Sequence, residues 1–202
     1  MFFKFLLILI AYLAGSIPTG VWYSKFMHAT DVRTLGSGNS GTTNIGRNFG
    51  AKAAIFVAAV DVLKGWLPVL AAKALFPNDH WVIMAVCIAC VVGHAYPIFA
   101  RFNGGKIVAT SIGVLLGFHF WTGIGMLAVF VASLYLTSIV SISSMVSYSL
   151  TALYIGISRA NLVYAIGFGL IALFMIYRHR TNIQRLLKGE ERRIKFGLRK
   201  AK

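Results

Sequence analysis

The chain has 202 residues, of which 58% are hydrophobic and only 12% charged, with a mean hydropathy of +0.76. A soluble domain is nearer about 45–50% apolar, so a water-soluble enzyme is excluded and an all-α integral membrane protein is expected. The net charge of +15 suggests nucleic acid, but ten of the 20 Lys and Arg lie between Arg178 and Lys202. A basic tail directly after an apolar run fits anionic lipid at a bilayer surface, and no nucleic-acid partner is expected.

The carboxylates are Asp31, Asp61, Asp79, Glu190 and Glu191. They form no cluster in the sequence that could hold a divalent cation, so neither metal nor cofactor is expected. Cys87 and Cys90 lie inside an apolar run and read as buried small residues. The organisation expected is one polytopic domain over residues 1–202, with 178–202 as its tail. The first apolar run, Phe2 to Tyr23, is long enough to be a span, so no cleaved signal is needed.

Span 1 is predicted from about Phe5 to Tyr23 and contains Gly15-Ser-Ile-Pro-Thr-Gly20. A Pro there predicts a kink whose freed backbone groups find nearby protein partners. A polar stretch follows, Thr34-Leu-Gly-Ser-Gly-Asn-Ser-Gly-Thr-Thr-Asn-Ile-Gly-Arg47. Gly36, Gly38, Gly41 and Gly46 allow close backbone approach, and Ser37, Asn39, Ser40, Thr42, Thr43 and Asn44 add neutral donors. Such a loop ending on the forked cation of Arg47 is suited to a phosphate. Gly36-Ser-Gly-Asn-Ser-Gly41 also matches a dinucleotide fingerprint, but that motif requires a preceding strand, and an apolar run of helical length precedes it here.

Span 2, about Ala51 to Leu75, carries Asp61 and Lys64 on one helix face, read as an internal pair near the site. Gly65 and Pro68 suggest a bend after it. Span 3 runs from His80 to about Val92. Next comes Gly93-His-Ala-Tyr-Pro-Ile-Phe-Ala-Arg-Phe-Asn-Gly-Gly-Lys-Ile-Val-Ala-Thr110. Gly104, Gly105 and Lys106 open a predicted helix, a place that favours an anion. It is not a Walker loop, since Ala100 and Ile107 stand where that motif needs Gly and Ser or Thr.

From Ile107 to Ser158 there is no Lys, Arg, Asp or Glu. Breaks are expected near Gly117–His119, Thr137–Ser138 and Gly156–Ser158. The hydroxyl-rich patch Ser138-Ile-Val-Ser-Ile-Ser-Ser144 either bonds to its own helix or faces the site. A last span is expected from about Asn161 to Tyr177. The tail then opens as a short interfacial helix with Asn182 and Arg185 on its polar side.

Parity constrains the topology. Both polar loops follow odd-numbered spans, and Gly105–Tyr177 has room for four spans of about 18 residues. Seven spans result, with loops and tail on one side. That side carries 16 of the Lys and Arg, leaving Lys4, Lys64, Lys73 and Arg159. The positive-inside rule puts it in the cytoplasm and the N-terminus outside. Arg47, Lys106 and the Asn182/Arg185 region are then expected to converge on a phosphate at the cytoplasmic interface.

These motifs resemble those of the bacterial acyl-phosphate:glycerol-3-phosphate acyltransferases (PlsY), over nearly the whole chain. The likeness rests on Gly15–Gly20, Gly36-Ser-Gly-Asn-Ser-Gly-Thr-Thr-Asn44 with Arg47, and Asp61-Val-Leu-Lys-Gly65. It rests equally on Gly93-His-Ala-Tyr-Pro97, Phe102-Asn-Gly-Gly-Lys-Ile-Val-Ala-Thr110 and Asn182-Ile-Gln-Arg-Leu-Leu-Lys-Gly-Glu190. The resemblance implies seven transmembrane helices in the bacterial cell (inner) membrane and a cytoplasmic active site. It implies a role in phospholipid biosynthesis. A fatty acyl group would pass from acyl phosphate to the 1-hydroxyl of sn-glycerol 3-phosphate, giving lysophosphatidic acid and phosphate. Two departures stand out. Asn103 and Ile107 replace a Lys and a Gly common in the family, and Ser138-Ile-Val-Ser141 replaces an Arg-Tyr-Val-Ser stretch.

Acyl transfer passes through an oxyanion beside a phosphate leaving group, so the site needs fixed donors. Ser37 and the glycine-loop N–H groups (Gly36, Gly38, Asn39, Thr43 and Asn44 among the loop residues), with Gly104, Gly105 and Lys106, are expected on the acyl phosphate. Arg47, Asn182, Arg185 and Ser141, Ser143 or Ser144 are expected on glycerol phosphate, with His179 orienting. Ser37, Arg47, Lys106 and Asn182 are the expected catalytic set. The H-x-x-x-x-D pair of other glycerolipid acyltransferases is absent, since Phe99 stands five residues after His94. The donor's own phosphate is a candidate base, with Glu190, Glu191 and Asp31 as rivals. A membrane transporter of an organic phosphate is the alternative, since it too would use intramembrane Asp61 and Lys64. A non-catalytic lipid-binding scaffold would leave the glycine loop unexplained.

Overall fold

The computed structural model describes residues 1–158 and 161–200. Arg159, counted in the charge bias, and Lys202, the last residue of the tail, lie outside the described residues. All regular structure among the described residues is helical, and the chain forms two compact units, Met1–His119 and Phe120–Lys202.

The first unit holds α1 (Phe2–Gly15), α2 (Thr19–His28), α3 (Thr42–Phe49), α4 (Ala51–Leu75), α5 (His80–Ala95) and α6 (Val108–Phe118). Short 3-10 turns sit at Val32–Thr34 and Ile98–Ala100. The predicted kink separates α1 from α2, which meet at 42° across Ser16–Pro18. Pro18 lacks an N–H, and the residue before it is disfavoured in the helical region. The Ile17 carbonyl at this break accepts from Lys64 Nζ at 2.7 Å. α4 runs as one continuous helix through Gly65 and Pro68, where a bend is expected.

Close helix contacts replace hydrophobic drive between membrane helices. A Cβ on Gly93 would strike the Tyr12 carbonyl of α1, and one on Gly113 would strike the Val62 carbonyl of α4. Small residues thereby bring α1 against α5 and α4 against α6. Cys87 and Cys90 are buried and unbridged in α5, as expected.

The second unit holds α7 (Phe120–Thr137), α8 (Val140–Ile157), α9 (Leu162–Arg178) and α10 (Arg180–Leu187). The last two meet at 56°. The three expected breaks all occur. Beyond α10 the tail does not trail into solvent. Ile194 and Leu198 donate backbone N–H bonds to the Ser138 and Tyr135 carbonyls (2.9 and 2.8 Å), and Phe196 packs edge-on to Tyr135.

By length and composition, α4, α5 with its following turn, α7 and α8 can each cross a membrane, and the two bent pairs bring the number to six. One expectation needs correcting: the first of the four segments after Gly105 is not about 18 residues long. α6 has 11 residues, about 16 Å of helix against a hydrocarbon core of about 30 Å.

Candidate active site

The glycine loop of the first unit is built around Asn44, the third residue of α3, which is 2% exposed. Its amide nitrogen bonds to the Val32, Leu35 and Asn39 carbonyls at 3.1, 3.0 and 2.9 Å. Its carbonyl oxygen accepts from Ser37 N at 3.0 Å and Asn48 Nδ2 at 3.2 Å. Asn44 therefore shapes the loop from inside. Two amides expected to face a ligand are turned inward: Ser37 N–H reaches Asn44, and Gly38 N–H reaches the Leu35 carbonyl at 3.0 Å. Gly36 and Gly38 have φ of +57° and +71°, which lets the chain reverse this tightly. The result is an exposed tip bearing Ser37, with Asn39 and Thr43 half-buried behind it and Arg47 exposed in the last turn of α3. Beneath lies a core of Val21, Val32, Ile45, Ala53 and Val57.

The Gly-Gly-Lys loop is pinned to the end of α5. Gly104 and Gly105 donate N–H bonds to the Ala95 and His94 carbonyls at 3.2 and 3.1 Å. A Cβ on Gly105 would meet His94 Nε2, so only glycine lets the loop lie on the imidazole. Lys106 is half-buried, and Ile107 follows at φ +61° as the first-turn cap of α6.

Under both loops sits a buried polar node. Asp61 Oδ1 takes Lys64 Nζ at 2.6 Å and the Thr19 hydroxyl at 2.8 Å. His94 Nδ1 lies 3.0 Å from Thr110 Oγ1 and 3.8 Å from Asp61 Oδ1. Asp61 and Lys64 form the internal pair expected from their spacing. The node reaches the glycine loop through α2, where Gly20 lies against the Ser40 carbonyl.

In the second unit, Glu191 gathers three residues expected to bind glycerol phosphate. Its carboxylate accepts from Ser141 Oγ at 2.9 Å, Asn182 Nδ2 at 2.5 Å and Arg185 Nε at 2.7 Å. Burial alone would raise its pKa. The hydrogen bonds from Asn182, Arg185 and Ser141 outweigh that and hold it below the usual carboxylate range. Ser143 and Ser144 donate to the Ile139 and Val140 carbonyls of their own helix (2.9 and 2.8 Å). His179 Nδ1 lies 2.8 Å from the Met175 carbonyl, which can only accept, so Nδ1 carries the proton.

Two rivals for the general base are weakened by these contacts. Asp31 is held at about 2, chiefly by the hydrogen bond from Arg33, and Glu191 is held ionised by three donors. A carboxylate so stabilised is a poor proton acceptor. Sequence reasoning missed the Arg33–Asp31 pair and the gathering role of Glu191. The Asp-x-Arg spacing at 31–33 was the one local signal for the former.

A glycerol-3-phosphate acyltransferase family model matches residues 5–189. A glycerol-3-phosphate acyltransferase of Listeria monocytogenes is 42% identical over 95% of this chain and 96% of its own. One from Enterococcus faecalis is 43% identical over 98% and 94%. Among solved structures, PlsY, described as an integral membrane glycerol 3-phosphate acyltransferase, is similar in two forms. Its glycerol 3-phosphate form superposes with a TM-score of 0.91 at 36% identity over 95% of each chain. Its lysophosphatidic acid form gives 0.88 at 34%. With a family model spanning nearly its full length and relatives above 40% identical over almost all of it, the chain belongs to the glycerol-3-phosphate acyltransferase family.

Proposed function

We infer that this protein transfers a fatty acyl group from acyl phosphate to the 1-hydroxyl of sn-glycerol 3-phosphate, releasing lysophosphatidic acid and phosphate for phospholipid biosynthesis. The observation that carries the reading is the near full-length likeness to PlsY in its glycerol 3-phosphate form. The substrate hydroxyl attacks the acyl carbon, the carbon–oxygen bond to phosphate breaks, and the hydroxyl proton passes to the departing phosphate. Ser37 and Lys106 stabilise the donor phosphate and the oxyanion. Arg47 holds the second phosphate, and Asn182, His179, Arg185 and Ser141 serve the acceptor. Glu191 orients Asn182, Arg185 and Ser141. Asn44 keeps the Ser37 tip in shape. A radiolabelled acyl-transfer assay on the purified protein tests the reading.

The transporter alternative drew on intramembrane Asp61 and Lys64. Those charges satisfy each other together with Thr19 and the Ile17 carbonyl, which accounts for them without a transport path.

Arg47→Ala and Lys106→Ala should each lower kcat/KM by roughly ten- to a hundredfold. That corresponds to losing one charge-assisted phosphate contact of on the order of 1.5–3 kcal/mol. Lys195→Ala, an exposed residue of the tail, should change it by less than about twofold. Near-normal turnover by Arg47→Ala would reduce the glycine loop to an ordinary connector.

For the topology, we infer seven membrane-embedded segments, counting α6 as a short one, with polar loops and tail cytoplasmic. A reporter active only in the cytoplasm should give signal when fused at the C-terminus and none when placed in the Phe76–Asp79 turn. The reverse pattern would invert the assignment.

A further inference from the structure

Arg33 has no part in the phosphate contacts assigned above, yet it ties together the two loops that carry them. Asp31 caps the Val32–Thr34 turn by accepting from Arg33 N at 3.0 Å. The same carboxylate then grips the guanidinium along one edge, with Nε on Oδ1 at 3.0 Å and Nη2 on Oδ2 at 2.7 Å. That fork fixes the plane of the guanidinium. Nη1 is thereby aimed across to the other loop, where it donates to the Ala100 carbonyl at 3.0 Å and the Asn103 carbonyl at 3.3 Å.

The segment it reaches is a turn that needs holding. Arg101 and Phe102 both adopt left-handed backbone, at φ +55° and +57°, which L-residues disfavour. The two carbonyls bonded by Arg33 flank this pair. Asn103 also donates its N–H to the Ala100 carbonyl at 3.2 Å, closing the turn. Lys106 lies three residues beyond Asn103, and Ser37 four residues beyond Arg33. A shift at this joint moves Lys106 relative to Ser37.

We propose that Arg33, locked by Asp31, is a positioning residue that sets the Gly-Gly-Lys loop in register with the glycine loop, so that Ser37 and Lys106 meet one donor phosphate. This rests on the reading above that both loops serve the acyl phosphate. Arg33 itself need not touch substrate. Because Asp31 stays ionised down to about pH 2, mutation rather than acidification is the way to open the clamp.

The test compares wild type, Arg33→Lys, Arg33→Gln and Asp31→Asn, purified and reconstituted, with KM measured separately for each substrate. We expect the KM for acyl phosphate to rise about tenfold in Arg33→Gln, with the KM for glycerol 3-phosphate unchanged. Lys keeps the charge but not the fork, so Arg33→Lys should show most of the same defect. Asp31→Asn combined with Arg33→Gln should be no worse than Arg33→Gln alone, because both open one clamp. An unchanged acyl phosphate KM in Arg33→Lys, or an equal rise for both substrates, overturns the proposal even if Arg33→Gln fails to fold. Wild type that does not use acyl phosphate at all would instead overturn the functional reading beneath it.

Discussion

Lys64→Met should cost about 3–5 kcal/mol of stability and leave little folded, active protein in the membrane fraction. The Lys64 side chain is 4% exposed and that of Asp61 2%, so neither can turn to water when its partner is lost. Removing Lys64 leaves Asp61 with the Thr19 hydroxyl as its remaining bonded donor in this cluster and an uncompensated charge in the interior. It also strips the Ile17 carbonyl, at the kink between α1 and α2, of the Lys64 bond. Asp61→Asn with Lys64→Met should recover part of the loss, since a neutral amide in place of the carboxylate removes the buried charge. A coupling of that sign is the signature of a pair rather than of two independent residues. Thermal unfolding in detergent reads both effects. Unfolding of Lys64→Met at the wild-type temperature would mean that the pair contributes nothing to the fold. Because Thr19 bonds to Asp61 and its neighbour Gly20 abuts the glycine loop at Ser40, partial variants such as Asp61→Asn should lose turnover as well as stability.

Much of this was legible in the sequence because the relevant residues advertise themselves locally. A charged pair three apart inside an apolar run, a Pro within a span and glycines crowded with hydroxyls and a terminal Arg each point to one structural consequence. Part of what stayed hidden depends on partners distant in the chain. Arg33 bonds to carbonyls, which every residue has, so no side chain at 100 or 103 betrays the contact. In the sequence Asn44 is one more donor in a polar loop. Nothing local distinguishes an amide that faces a ligand from one that holds the loop's own carbonyls. The length of α6 was misjudged because no charge marks a boundary between Ile107 and Ser158. Ile107 itself occupies left-handed backbone, at φ +61°. The turn keeps the geometry that glycine favours, and the β-branched side chain bears the strain while buried in the core.

Acyl-CoA offered in place of acyl phosphate should give no lysophosphatidic acid. A thioester donor brings a large nucleotide and leaves as a thiolate, and the chain has no H-x-x-x-x-D pair to serve that chemistry. What it offers is a Ser-tipped glycine loop and a Gly-Gly-Lys loop, clamped to each other by Arg33 within one compact unit. Glu191 and Asp31 are each held ionised by several donors, so neither is poised to take the acceptor's proton. A phosphate leaving group can take that proton as it departs. Inorganic phosphate, the product, should therefore compete with acyl phosphate. EDTA should leave turnover unchanged, since four of the five carboxylates pair with Lys4, Arg33, Lys64 and Arg185. The decisive comparison is product formed from each donor by the same purified sample. Robust transfer from acyl-CoA without acyl phosphate would mean that the two loops hold something other than a donor phosphate, and the roles given to Ser37, Lys106 and Arg33 would fall together.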